Sequence, residues 1–66
     1  MNLENLLSVL KSSKTITVNL YDENDLLLIS FGHPGYDALD DDLLVRDIRE
    51  LEFLTLANIN VKLAEV

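Results

Sequence analysis

The stretch Thr15-Ile16-Thr17-Val18-Asn19-Leu20-Tyr21, followed by Asp22-Glu23-Asn24-Asp25 and then by Leu26-Leu27-Leu28-Ile29-Ser30-Phe31, decides the fold. On either side of the acidic link, apolar and polar residues alternate with the period of two that half-buried strands show. If the link is Asp22 to Asp25, Tyr21 faces Leu26, Leu20 faces Leu27, Val18 faces Ile29 and Ile16 faces Phe31. Ile16, Val18, Leu20, Leu27, Ile29 and Phe31 then share one face, and a slip of one residue would separate them. The opposite face carries Thr17, Asn19 and Ser30 together with Tyr21, Leu26 and Leu28, so half of it is apolar.

Working outward, Leu3, Leu6, Leu7 and Leu10 recur at helical spacing, with Val9 widening the stripe. Asn2 is placed to cap the N-terminus by accepting from first-turn amides, and Glu4 suits the positive end of the helix dipole. Lys11 and Lys14 match the opposite pole, and Ser12-Ser13 before β-branched residues predicts a stop near Ser12. So short a helix must lay its leucines on a sheet to persist. After Phe31, Gly32-His33-Pro34-Gly35 predicts the end of the second strand. From Gly32 to Leu44 a loop is expected, with a short helical turn around Leu39 and Leu43 capped by Asp37 or Asp40.

A second hairpin is legible in the last third. Leu51, Phe53 and Thr55 alternate with Glu52, Leu54 and Leu56, and Ile59, Val61 and Leu63 with Asn60, Lys62 and Ala64. A link Leu56-Ala57-Asn58 places Phe53 opposite Val61 and Leu51 opposite Leu63, with Asn58 in the left-handed conformation that closes such links. Val45, Ile48 and Leu51 are spaced by three, which requires either a helical turn or a bulge near Arg49-Glu50 before a strand starting near Ile48. Helix, hairpin, acidic connector and hairpin together predict one two-layer α+β domain. In it the N-terminal helix packs on a four-stranded, mostly antiparallel sheet.

The leucine stripe Leu3 to Leu10 followed by Ile16-Thr17-Val18, with the ending Asp47-Ile48-Arg49-Glu50-Leu51-Glu52-Phe53 and Ile59-Asn60-Val61-Lys62-Leu63, resembles small acidic proteins of Gram-positive phages and integrative elements. The resemblance covers most of the chain. It implies a mobile-element accessory protein and carries over no functional residue.

Composition narrows the function classes. With 66 residues there is one small core, and no cysteine to staple it. Twelve acidic residues against five basic ones give a net charge of -7, which repels nucleic-acid backbones and anionic membranes, so neither is expected as a direct partner. Met1-Asn2-Leu3-Glu4-Asn5 is neither the basic start nor the apolar run of a signal peptide, and the longest wholly apolar run, Leu26 to Ile29, cannot cross a bilayer. A cytoplasmic protein is expected.

The residues that carry chemistry are sparse. There is no nucleophile elbow, phosphate-binding glycine loop or zinc-binding His pair, and the single histidine, His33, reads as a turn residue. Neither Asp22-Glu23-Asn24-Asp25 nor Asp37 with Asp40-Asp41-Asp42 has the spacing of a calcium loop, and turn and cap chemistry accounts for both. The expectation is therefore a non-enzymatic protein with no cofactor and no metal.

Two surfaces are candidates for a partner, whether another protein or a second copy in a homodimer. The first is apolar: Tyr21, Leu26, Leu28, Leu54 and Leu56 lie on strand faces turned away from the main apolar set, where one helix cannot cover them. Either a partner buries them, or the connector does through Tyr36, Leu39, Leu43 and Leu44. The second is acidic: Asp22, Asp25, Asp37, Asp40, Asp41 and Asp42 could stand in for phosphates in the basic groove of a DNA-binding enzyme. In size and charge that alternative resembles the anti-restriction and anti-CRISPR proteins of phages.

Overall fold

The computed structural model describes residues 1–10, 15–33 and 39–65. The elements run α1 (Leu3–Val9), β1 (Ile16–Tyr21), β2 (Leu27–His33), α2 (Asp41–Leu44), β3 (Ile48–Thr55) and β4 (Asn58–Leu63). The four strands form one sheet in the order β2-β1-β4-β3, with two antiparallel hairpins joined through a parallel β1–β4 pair. This is the α+β architecture expected from the sequence. The parallel pair at the centre is buried on one side, as such pairs usually require cover.

Asn2 caps α1: its Oδ1 accepts from the Asn5 amide at 2.9 Å, and Glu4 lies in the first turn. Leu3, Leu6 and Leu7 are buried against Val18, Leu20, Phe31, Ile59, Val61 and Leu63, with Leu10, Ile16, Ile29 and Ile48 packed at the margin. Six of these, Leu3, Val18, Leu20, Ile59, Val61 and Leu63, are shut off from solvent. Each such side chain contributes about 1.5–3 kcal/mol relative to exposure. Val9 departs from the expected stripe and is exposed, because it points off the narrow arc that meets the sheet. The expected stop near Ser12 and the charges of Lys11 and Lys14 lie outside the described residues.

The first hairpin corrects the expected register in two steps. The Asp22 amide donates to the Leu26 carbonyl at 3.0 Å, while Asp22 Oδ1 accepts from the amides of Asn24 and Leu26. That closes a three-residue link, Glu23-Asn24-Asp25, with Asp25 at φ 63°. A short polar side chain tolerates this left-handed conformation. The shorter link slips the pairing by one residue, so Tyr21 pairs with Leu27 instead of Leu26. Leu27, expected in the core, is consequently 55% exposed. An irregularity then leaves Leu28 as an extra residue, and Leu20 pairs with Ile29 and Val18 with Phe31. The second step restores the face lost in the first.

The second hairpin repeats the device. Its link is Leu56-Ala57, with Thr55 opposite Asn58. A bulge at Leu54 sets Phe53 opposite Ile59 and Leu51 opposite Val61, two residues short of the expected partners Val61 and Leu63, so that the same residues still share the helix face. Asn58 is not left-handed, since Asp25 is the only non-glycine residue with positive φ among those described. A further bulge at Arg49 sets Ile48 opposite Leu63, so the irregular spacing before Leu51 is a phase reset within a strand that starts at Ile48.

The connector also differs in part from expectation. β2 runs on through Gly32 and His33 instead of ending at Phe31. Gly32 has no positive φ, and a Cβ built there would come within 3.0 Å of Thr15 Cγ2. Its small size is used for close approach, not for a turn. The short helical turn forms as α2 with Asp40 at its N-cap position, but the Asp40 side chain makes no capping hydrogen bond. Asp37, the other proposed cap, lies outside the described residues, as do Pro34 and Gly35.

Candidate functional site

The five residues of the expected outer apolar face come apart into two groups. Tyr21, Leu26 and Leu28 sit where β1 finishes, whereas Leu54 and Leu56 sit beside the start of β4. Two to three strand spacings and four residues of rise separate the groups, about 9–14 Å across and about 13 Å along the sheet. Between them the outer face is polar. Asn19 Nδ2 donates to Asn58 Oδ1 at 2.8 Å and to Asn60 Oδ1 at 3.0 Å, and Ser30 Oγ donates to Asn19 Oδ1 at 2.8 Å. Asn60 Nδ2 continues the chain to Glu52 Oε1 at 3.1 Å. One hydrogen-bonded row thus crosses all four strands, and the second face is not a continuous apolar surface.

Nor do the described leucines of the connector cover that face. Leu39, Leu43 and Leu44 pack against the main core cluster, on the side where α1 lies. Tyr36 lies outside the described residues. These three leucines enlarge the existing core, which gains more for a small chain than starting a second one.

The larger apolar exposure lies along β3. Leu51 and Phe53 point to the helix side, opposite Val61 and Ile59, but α1 does not reach over the edge strand. Phe53 is 66% exposed, Leu54 50% exposed, and Leu56 at the turn is fully exposed. Leu10, Ile16, Phe53, Thr55 and Leu56 line an open groove of about 540 Å³ between the end of α1 and the β3–β4 turn. Leu54 and Leu56 were legible as candidates; Phe53 and Leu51 were not, because alternation assigned them to a covered face. Alternation gives the face of a strand, not the reach of the helix above it.

Among the described residues the β3 edge is closed only at its start. Asn2 bridges to Asp47, the Leu3 amide donates to the Arg46 carbonyl at 3.0 Å, and the Ile48 amide donates to the Met1 carbonyl at 2.9 Å. From Arg49 to Thr55 no backbone hydrogen bond from another described segment reaches the outward side. Unpaired amides and carbonyls in a row offer a template for one more strand.

The acidic candidates divide in the same way. Asp22 is spent on the backbone of its own loop. Glu23 accepts from Arg46 Nη2 at 2.8 Å, and Asp25 accepts from Arg49 Nη2 at 2.7 Å, with Lys62 Nζ at 3.9 Å. The hydrogen bond from Arg46 holds the Glu23 carboxyl below its usual range, and that from Arg49 does the same for Asp25. Lys62 also pairs with Glu50 at 3.0 Å, a hydrogen bond that raises the ammonium above its ordinary value. Three of the five basic residues therefore serve the first hairpin loop and its surroundings. Asp40, Asp41 and Asp42 are exposed around the start of α2, and Asp37 lies outside the described residues.

His33 is a strand residue, not the expected turn residue. Its Nε2 lies 2.7 Å from the Leu7 carbonyl, which accepts, so Nε2 carries the proton. That carbonyl belongs to the last turn of α1. Nδ1 is buried with no hydrogen-bond partner among the described residues. His33 thus ties α1 to β2. Among the described residues no three His, Asp or Glu side chains converge as metal ligands, and no helix is long and apolar enough to cross a membrane.

No family model matches the chain, and no curated protein and no solved structure matches it either.

Proposed function

We propose that this protein is a non-enzymatic interaction module that docks a protein partner along β3. The observation that carries the reading is the coincidence of an unpaired strand edge with Phe53, Leu54 and Leu56 exposed beside it. Edge strands in natural proteins are usually blunted, and an apolar one left open marks an association surface. The accessory role in a mobile element implied by the sequence resemblance, and the cytoplasmic setting that goes with it, belong to the same proposal. The acidic-mimic alternative draws less support, because Glu23 and Asp25 are committed to arginines and Asp22 to its own loop.

The test is affinity capture from the native cells with the full chain and with a Phe53→Asp/Leu56→Asp variant of unchanged circular dichroism. A protein retained in stoichiometric amount by the parent and lost by the variant is expected. Identical recovery by both would contradict docking at β3. Sedimentation of the purified chain over a range of concentrations shows whether the partner is a second copy.

A further inference from the structure

We infer that the occupant of the β3 edge is an extended segment of another protein in which basic and apolar residues alternate. The inference rests on the docking surface proposed above. Between the bulges at Arg49 and Leu54, the segment Glu50-Leu51-Glu52-Phe53 pairs regularly with Lys62, Val61, Asn60 and Ile59. Its side chains therefore present two glutamates to the outer face and two apolar residues to the helix face.

A second copy meets that edge badly. Two β3 strands related by a two-fold axis normal to the sheet keep their faces matched, so paired residue numbers add to an even total. Centred on Leu51, Glu50 of each copy lies opposite Glu52 of the other; centred on Glu50 or Glu52, that glutamate lies opposite itself. Centred on Phe53, Glu52 of each copy meets the bulge at Leu54 of the other, which interrupts the pairing. Like charges directly opposite destabilise a strand pair, and the net charge of -7 on each copy adds to the repulsion. Nearby cations relieve it only in part, through Lys62 at Glu50. Arg49 is drawn to Asp25 and to the Asp22 carbonyl, and Lys62 is shared between Glu50 and Asp25. Glu52 accepts from the Asn60 side-chain amide and feels Lys62 without a direct ion pair to it among the described residues.

A foreign strand with Lys or Arg opposite Glu50 and Glu52 turns the same two positions into favourable cross-strand pairs. Its alternate apolar residues then lie beside Leu51 and Phe53, at the mouth of the groove formed by Leu10, Ile16 and Leu56. Main-chain hydrogen bonds supply affinity, and the alternation supplies specificity. The glutamates thus serve two purposes: they keep copies of the chain apart and select a cationic strand.

The experiment titrates the isotopically labelled full chain with a blocked hexapeptide, Lys-Val-Lys-Ile-Lys-Val, and follows amide resonances. The control peptide replaces each Lys with Glu. Shifts confined to β3, Leu10 and Ile16 are expected, at least about tenfold weaker for the Glu peptide and weakened by salt. Glu52→Lys, which leaves the Lys62–Glu50 pair in place, should reduce that preference, and Glu50→Lys/Glu52→Lys should reverse it. Absence of shifts at millimolar peptide, shifts spread over Asp40 to Asp42 instead, or a charge swap without effect would overturn the inference. Concentration-dependent shifts in β3 without peptide would overturn it in favour of a second copy. If the peptide fails while Phe53→Asp/Leu56→Asp still abolishes capture, the docking reading stands and only the identity of the strand is wrong.

Discussion

The same four strands run through both ends of the sheet, yet the two ends are built from different chemistry. Where β1 and β4 finish, the Asp22–Asp25 loop, Arg46, Arg49, Lys62 and the first residues of the chain are joined by ion pairs and backbone hydrogen bonds. Where β1 and β4 start, Leu10, Ile16, Phe53 and Leu56 surround an open groove, and no ion pair occurs there among the described residues. The difference shows how a small acidic chain allocates few cations. Among the described residues the three cations Arg46, Arg49 and Lys62 gather at one end, and an apolar edge is left at the other.

Substitution of matched leucines should expose that contrast most strongly. Leu63 is buried at the tied end, and Leu63→Ala should cost about 2–5 kcal/mol in chemical denaturation. Leu56→Ala, at the open end, should stay within about 0.5 kcal/mol. Equal losses would mean that Leu56 is covered in solution.

The arginines offer a finer comparison within the tied end. Arg46 has a side chain 15% exposed and donates to both Glu23 and the Ala64 carbonyl, whereas Arg49 is 38% exposed. Arg46→Ala should therefore destabilise by about 1–2 kcal/mol and Arg49→Ala by less. The reverse order in thermal melts would place the closure of this end on Asp25 instead.

Smaller still is the effect of pH. Glu23 and Asp25 are held below their ordinary values of 4.5 and 3.8, so their contribution is complete above those values and is lost as pH falls through the lower folded ones. Lys62 is raised above 10.5, so its contribution is present below that value and is lost at higher pH. Melting temperature should decline at both extremes, and Arg46→Ala should flatten the acid limb.

How far the sequence carried the fold follows from the period of two. Alternation identified Ile29 and Phe31 as inward residues, and it placed Ile16, Val18 and Leu20 on the same face. It could not place Leu27, because the face of that residue depends on the length of the Asp22 loop and on the extra residue Leu28. Those are set by hydrogen bonds from Asn24 and Leu26 to one aspartate oxygen, which no hydrophobic pattern encodes. Around Arg49 the irregular spacing left a helical turn or a bulge as alternatives, and the bulge is what forms. The candidate surface was half legible: Leu54 and Leu56 stood out, but Phe53 is exposed through the short reach of a seven-residue helix, a tertiary fact. Likewise Asn19 read as a polar strand residue, and its bonds to Asn58 and Asn60 required the parallel β1–β4 register.

Amide hydrogen exchange on the isolated chain tests the unequal ends most directly. The Leu3 and Ile48 amides, and those joining β3 to β4, should be protected, while the alternate β3 amides between Glu50 and Thr55 that point away from β4 should exchange at rates near those of free peptide. Uniform protection along both sides of β3 would contradict an open edge.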